Sequence, residues 1–357
     1  MKILGFESSC DETAVSVVEA DENGKLHILS NAVASQIDTH RLYGGVVPEI
    51  ASRAHIEAIT GLTYDALHEA DISVGELDAV AVTSHPGLIG ALLVAVNFAK
   101  AFAAQNGLPL VSVDHMKGHV ASAYLLPDAP KPPFLALAIS GGHTDLYAVD
   151  SYLAYRRIGQ TRDDAIGEAF DKVGRLVGIP YPAGAGLDRL ATEGFIRATG
   201  KEEGFYEAYR KSDAYRDKAY YLPSPALTDG SLDFSFSGLK TAAINLLHRV
   251  EQMGASLDGA LFAARYTYEA VEAIAKKVSE AFDREGLDAL VVSGGVAANS
   301  HVRRRLSALC VSRGARLYLP PLSLCGDNGA MIAAQGYYEL MAGRTVGSDL
   351  NASAADE

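Results

Sequence analysis

The chain has 357 residues, 48% of them hydrophobic and 21% charged, with a formal net charge of −13. That length suits about two domains with a large buried core, and the composition excludes general disorder. A chain this acidic has no global attraction for nucleic acid or anionic membrane, so contact with either needs a local basic patch or a partner.

Residues 3–6 and 14–19 read as two strands joined by a tight polar turn, and 48–70 has helical periodicity. Residues 78–83 form a buried strand, His85-Pro86-Gly87 a turn and 88–105 a long apolar helix. A strand at 110–113 leads into a helical pattern over 115–125. The run Ala129-Pro130-Lys131-Pro132-Pro133 cannot be regular structure and marks a domain joint. Strands at 134–139 and 145–149 then flank the turn Ser140-Gly141-Gly142-His143-Thr144, as the opening hairpin does. Two such hairpins, about 130 residues apart, suggest a duplicated domain. Segment 194–232 is polar, Tyr-rich and poorly periodic and reads as an insertion. A helix at 257–284, a strand at 289–293, the turn Gly294-Gly295 and a helix at 297–313 follow, and 349–357 reads as a frayed tail. The expected division is α/β, with one domain over 1–130, a second over 131–347 and a tail over 348–357.

The three cysteines, Cys10, Cys310 and Cys325, imply no disulfide framework and suit a reducing compartment. The N-terminus turns polar at Glu7, too early for a signal peptide. Asn97 and Lys100 interrupt the longest apolar stretch, 88–102, which falls short of the ~20 residues of a membrane span. The expectation is a cytoplasmic protein with no membrane partner. Each cysteine reads as a packed apolar group, ahead of a nucleophile at Cys10 or a soft metal ligand at Cys325.

Three small-residue turns follow strands, at 7–13, 140–144 and 293–299. Glycine lets a backbone approach a ligand, and free N–H groups cradle phosphate. None is a P-loop or a dinucleotide turn, and each alone is equally a plain tight turn. Two facing hairpin turns of this kind resemble the actin/hexokinase/Hsp70 superfamily, which implies an actin-like duplicated fold with an interdomain nucleotide and metal cleft. Gly294-Gly295 would be the adenosine-side turn.

His115 and His119 stand four apart and share a helix face, so both imidazoles reach one divalent ion such as zinc or iron. Asp327, in Cys325-Gly326-Asp327-Asn328-Gly329, is the candidate third ligand, and such an ion would tie the two halves of the chain together. The plainer reading is a surface helix with unrelated histidines. A metallopeptidase motif would need a glutamate where Met116 stands.

Together these stretches resemble the TsaD-type tRNA adenosine threonylcarbamoyltransferases over almost the whole chain. The resemblance runs through 5–13, Gly44-Gly45-Val46-Val47-Pro48-Glu49-Ile50-Ala51-Ser52-Arg53, His115–His119 and 140–144. It continues through Gly167-Glu168-Ala169-Phe170-Asp171-Lys172, Phe234-Ser235-Phe236-Ser237-Gly238-Leu239-Lys240-Thr241, 294–299 and Asp327-Asn328-Gly329-Ala330-Met331. It implies transfer of a threonylcarbamoyl group from threonylcarbamoyl-adenylate to N6 of the adenosine 3′ of the anticodon, in tRNAs reading codons that begin with A. His115, His119 and Asp327 would hold Fe(2+), with zinc an in vitro substitute. Ala138, Ile139, Ser140, Gly141, Gly142, Asp171, Gly184, Asp188 and Asn299 would bind the adenylate. The implied partners are tRNA, a TsaB-like inactive paralogue and a TsaE-like small ATPase. Asp11 or Glu12 could take the proton from the attacking amine, or simply shape the turn. His143 could contact carbamoyl or phosphate oxygens, or brace its own loop.

For tRNA, the stretch 299–316 offers Arg303, Arg304, Arg305, Arg313 and Arg316 and no acidic residue, either a phosphate-binding patch or a solvated helix face. The aromatic and basic residues of 205–221 could stack on bases, but a lid, a partner surface or simple elaboration is preferred. Rival functions are a sugar or acetate kinase, which leaves the His/His/Asp trio unexplained, and a scaffold like the inactive paralogue, which lacks the histidine pair. A small-molecule O-carbamoyltransferase usually carries an additional domain.

Overall fold

The apolar run from Ile3 to Phe6 is buried throughout, as a strand covered on both faces must be. In a computed structural model, which describes residues 1–225, 227 and 229–355, it forms β1 (Lys2–Glu7) and pairs antiparallel with β2 (Glu12–Ala20). Next come β3 (Leu26–Ser35), α1 (Ile37–Arg41), α2 (Pro48–Glu69), β4 (Ala79–His85), α3 (Ile89–Asn106), β5 (Leu110–Asp114) and α4 (His115–Ala121). The sheet order is β3-β2-β1-β4-β5, with β4 parallel to both β1 and β5. Side chains alternate across a strand. Leu4 and Phe6 therefore point to one face, into a core with Ile59 of α2 and Ala95, Val96 and Ala99 of α3.

The second sheet repeats the plan. Its elements are β6 (Phe134–Ile139), β7 (Thr144–Ser151), β8 (Ala154–Gln160), α5 (Ile166–Leu176), α6 (Gly184–Thr199), α7 (Phe205–Tyr209), α8 (Asp213–Arg216), α9 (Ser237–Gln252), α10 (Gly259–Glu285), β9 (Ala289–Ser293), α11 (Ser300–Arg313) and β10 (Arg316–Tyr318). The order β8-β7-β6-β9-β10 matches β3-β2-β1-β4-β5 strand for strand, and β9 is parallel to β6 and β10. The edge strands β3, β8 and β10 carry no strong sequence signal because they are half-exposed and mix polar with apolar residues.

The chain divides into one unit of Met1–Pro132, Val149–Tyr155 and Pro320–Glu357 and another of Pro133–Ala148 and Arg156–Leu319. The last segment thus groups with the first unit, not with a second domain running to 347. Its helix α12 (Gly329–Met341) is buried almost all round from Gly329 to Gly336, so it needs a sheet to cover it. That sheet is the first, on the face opposite α2 and α3. Gly5 makes the fit possible: a Cβ there would stand 2.3 Å from the Gly329 carbonyl oxygen.

The tail is not frayed through its described length. Leu350 and Ala352 pack on the first core, Lys100 donates to the Leu350 carbonyl at 2.9 Å, and the Ser353 N–H donates to Ser84 O at 2.9 Å. Asp356 and Glu357, and Ala226 and Thr228 of the Tyr-rich segment, lie outside the described residues.

The helix α3 is long and apolar enough to cross a membrane by length and composition, but Ala91, Leu92, Ala95, Val96 and Ala99 form its buried face in the first core. The Tyr-rich segment opens inside α6 and packs its rings inward. Phe205, Tyr206 and Tyr209 are buried, and Tyr209 lies 4.8 Å from Phe195 and 5.3 Å from Tyr268, centroid to centroid. Buried Arg265 sits 4.2 Å from the Tyr215 ring centroid and donates to the carbonyls of Tyr215 and Leu222. Base stacking by Phe205, Tyr206 and Tyr209 is therefore ruled out in this arrangement. Aromatic burial, not nucleic acid, accounts for those residues.

Candidate metal centre and ligand turns

The β5 strand delivers the chain to α4, whose first residue is His115. Asp114 caps the helix, accepting from the N–H groups of Met116 and Lys117 at 2.7 and 3.2 Å. Such a cap is worth about 1 kcal/mol. It fixes the face that His115 and His119 share, and their ring centroids lie 4.5 Å apart. Gly118 lets α4 press on α12, since a Cβ there would lie 2.6 Å from Ile332 Cδ1. The loop before α12 then carries Asp327 to the histidines. Its Oδ1 lies 3.7 Å from His115 Nε2 and 3.3 Å from His119 Nε2, and the three candidate ligand atoms all fall within 4.8 Å of one another. All three residues belong to the first unit.

A divalent ion fits this donor set. Both ring nitrogens of His119 are buried without a hydrogen-bond partner among the described residues. Such orphaned groups are costly and call for a ligand. Two imidazoles and one carboxylate suit iron or zinc and leave coordination positions open.

Glu7, not singled out by sequence spacing, completes the centre. It is fully buried at the end of β1, and its Oε2 faces His115 Nδ1 at 3.0 Å and accepts from Thr83 Oγ1 at 2.5 Å. Burial alone would raise its carboxyl, but His115 and Thr83 hold it below the usual range. Burial likewise disfavours the His115 cation, and the carboxylates of Glu7 and Asp327 outweigh it, lifting the imidazole to about 9.

The turn after Glu7 carries Asp11 and Glu12. His55 of α2, also unmarked in the sequence, holds both sides of that pair: its Nδ1 meets Thr13 Oγ1 at 2.7 Å and its Nε2 meets the Cys10 carbonyl at 3.0 Å. Burial first, then the charges of Asp327 and Asp11, push the Glu12 carboxyl up to about 9. Burial also drives the Cys10 thiol far above its usual range, which leaves it no nucleophile at neutral pH. The buried Cys325 thiol lies 3.5 Å from the Pro321 carbonyl oxygen and stands outside the His/His/Asp group. Cys310 is buried on α11.

The remaining candidates lie in the second unit. Ser140 N donates to His143 O at 2.9 Å and His143 N donates to Ser140 Oγ at 3.2 Å, closing the turn after β6. Ala138 and Ile139 are fully buried, so they can offer a ligand only backbone. Gly141 and Gly142 are exposed. Gly294, at φ +89°, lies against the Ile139 backbone, where a Cβ would meet its carbonyl oxygen at 2.3 Å. Asp171 Oδ1 accepts from the N–H groups of Ala183 and Gly184 at 2.7 and 3.0 Å, and burial raises its carboxyl. Asp188 accepts from Ser300 N and Oγ, and Asn299 Oδ1 caps α11 through His301 N and Val302 N. Asp171, Gly184, Asp188 and Asn299 thus belong to one bonded framework.

The arginine stretch is less basic than it reads. Arg305 pairs with Glu272, Arg313 with Asp283 and Arg316 with Asp288, and Arg304 lies over the Phe205 ring. The acids come from α10 and the loop after it, so a run without acidic residues in sequence is largely neutralised in space.

The family model of TsaD, described as tRNA N6-adenosine threonylcarbamoyltransferase, matches residues 27–334. The chain belongs to the TsaD family. It is 46% identical to the tRNA N6-adenosine threonylcarbamoyltransferase of Latilactobacillus sakei over 98% of this chain and 94% of that protein. It is also 46% identical to the protein of the same name from Geobacillus thermodenitrificans, over 98% of this chain and 95% of that one. The TsaD-family fold is shared more widely. T. kodakarensis HypF aligns with a TM-score of 0.54 at 14% identity, over 98% of this chain and 49% of that one. Component A of the Acidaminococcus fermentans (R)-2-hydroxyglutaryl-CoA dehydratase aligns at 0.51 and 12%, over 96% and 99%. These distant likenesses carry the fold alone, the actin-like duplicated α/β fold.

Proposed function

We infer that this TsaD-family chain transfers a threonylcarbamoyl group from threonylcarbamoyl-adenylate to N6 of the adenosine 3′ of the anticodon, in tRNAs reading codons that begin with A. The observation that carries this reading is the His115/His119/Asp327 cluster, with its orphaned His119 nitrogens, in a chain of this family. It is what a kinase of the same fold would leave unexplained.

The donor is a mixed carbamic–phosphoric anhydride. The N6 nitrogen attacks the carbamoyl carbon, the C–O bond to phosphate breaks, AMP leaves with the electron pair, and the amine gives up a proton. His115, His119 and Asp327 would hold an Fe(2+) ion, for which zinc can substitute, and a bound divalent ion supplies Lewis-acid polarisation of a carbonyl. The backbone of Ala138 to Gly142 holds the adenylate with Asp171, Gly184, Asp188 and Asn299, which orients the reacting carbon and removes the entropic cost of finding it. His143 contacts the carbamoyl or phosphate oxygens. In the carboxyl pair of the 7–13 turn, Glu12 takes the amine proton, its basicity raised by burial first and then by the charges of Asp327 and Asp11.

The net charge of −13 and the paired arginines support a division of labour for tRNA. The enzyme works in the cytoplasm with a TsaB-like inactive paralogue and a TsaE-like small ATPase. Filter binding should show weak, salt-sensitive tRNA affinity for the isolated chain and stronger affinity when these partners are added; equal affinity with and without them would end that part of the reading. The reaction itself is tested by mass analysis of tRNA nucleosides after depletion of this protein. Threonylcarbamoyladenosine should disappear, and an unchanged level in a cell with no redundant enzyme would overturn the assignment.

A further inference from the structure

We propose that Glu7 is the positioning residue that fixes the tautomer of His115, holding its proton on Nδ1 and leaving Nε2 free to bind the metal. The inference rests on the metal-site reading above and assigns a role to a residue outside the three ligands.

Glu7 is fully buried, and a buried carboxylate is tolerated only where donors meet it. Three do. The Ser9 N–H donates to Oε1 at 2.5 Å, and Thr83 Oγ1 donates to Oε2 at 2.5 Å. His115 Nδ1 stands 3.0 Å from the same Oε2. An ionised carboxylate accepts and never donates. Ser9 Oγ also lies 3.2 Å from Nδ1, but a hydroxyl can give or take a hydrogen bond, so the carboxylate decides: the ring nitrogen facing it carries the proton, and in a neutral imidazole the other nitrogen then has the lone pair. That other nitrogen is Nε2, the one turned towards Asp327. Outer carboxylates of this kind orient histidine ligands, and losing one typically costs 10–100-fold in metal affinity. His119 has no such support, because its Nδ1 meets no hydrogen-bond partner among the described residues. Orientation of the pair accordingly falls on His115.

The geometry also says why glutamine cannot replace Glu7, although it fills the same space. Ser9 N–H is a donor, so a glutamine must turn its oxygen there. Its NH2 group then faces His115 Nδ1 and donates to it, which moves the ring proton to Nε2 and blocks the ligand atom. The flipped amide would set NH2 against the Ser9 N–H, a buried donor facing a donor.

The test is a titration of metal-free protein with Co(2+) against a competing chelator, for the unsubstituted chain, Glu7→Gln and His119→Ala. Glu7→Gln should bind about 10–100-fold more weakly while the far-UV circular dichroism of the metal-free chain is unchanged. A role limited to filling space would leave affinity intact in this isosteric variant, and that result would overturn the proposal. His119→Ala separates the two readings. If it too binds like the unsubstituted chain, the metal site itself is misassigned; if it loses the metal while Glu7→Gln does not, only the Glu7 role fails. Should Glu7→Gln fail to fold, 15N-labelled histidine in the zinc-loaded unsubstituted protein gives the answer directly. An Nδ1-protonated His115 ring is expected, and a ring protonated on Nε2 or bound through Nδ1 would refute the inference.

Discussion

The His115→Ala variant is expected to lose tRNA modification by about 10³-fold or more while keeping its fold. Several kcal/mol of transition-state stabilisation is what a bound Lewis acid commonly supplies, and each 1.36 kcal/mol is tenfold in rate. His115 lies at the first turn of a seven-residue helix that Asp114 caps through backbone atoms, so removing the imidazole leaves the cap in place. The variant strands Glu7, which loses the His115 Nδ1 contact but keeps Ser9 N–H and Thr83 Oγ1. The expected signature is therefore near-normal circular dichroism, a somewhat lowered melting temperature, lost metal stoichiometry and lost threonylcarbamoyladenosine in single-turnover assays with supplied adenylate. A metal-free His115→Ala protein that modified tRNA at the normal rate would remove the metal from the mechanism.

The clustering of His115, His119 and Asp327 was legible because helical spacing and a polar loop before a helix are local signals. The spacing of His115 and His119 needs nothing but 3.6 residues per turn. Glu7 stayed hidden although it sits in a quoted motif: linking residue 7 to residue 115 takes the parallel register of β1, β4 and β5, which also brings in Thr83. His55 was hidden for the same reason, as its two bonds reach across 42 and 45 residues of sequence. Charge runs misled where partners are distant. Residues 299–316 contain no acid, yet Glu272, Asp283 and Asp288 neutralise three of their arginines. The aromatic segment misled similarly, because sequence cannot say whether a tyrosine such as Tyr209 points to solvent or into its neighbours. A linear division placed α12 with the second half, whereas the small residues Gly5 and Gly329 bring it back onto the first sheet.

The Glu12→Gln variant should lower kcat by about 10²–10⁴-fold, the usual worth of a positioned general base, with tRNA and adenylate KM little changed. Glu12 has a raised carboxyl, at about 9, caused by burial and then by the charges of Asp327 and Asp11. A base takes a proton only when ionised, so the role requires the carboxylate form of Glu12. The same shift has a stability consequence that needs no turnover. The folded metal-free chain keeps a proton on Glu12 that the unfolded chain releases near its ordinary value of 4.5. The folded state therefore binds more protons between 4.5 and about 9, and its stability falls as pH rises through that window. Glutamine does not titrate, so metal-free Glu12→Gln should melt above the unsubstituted chain at pH 8 and lose less of its stability between pH 6 and pH 8. Activity given up and stability gained at one residue is the pattern of a strained functional group. A variant that kept its kcat would transfer the proton-accepting role to Asp11, for which Asp11→Asn would then have to show the 10²–10⁴-fold loss. Normal rates in both variants would reduce the carboxyl pair to a shaper of its turn.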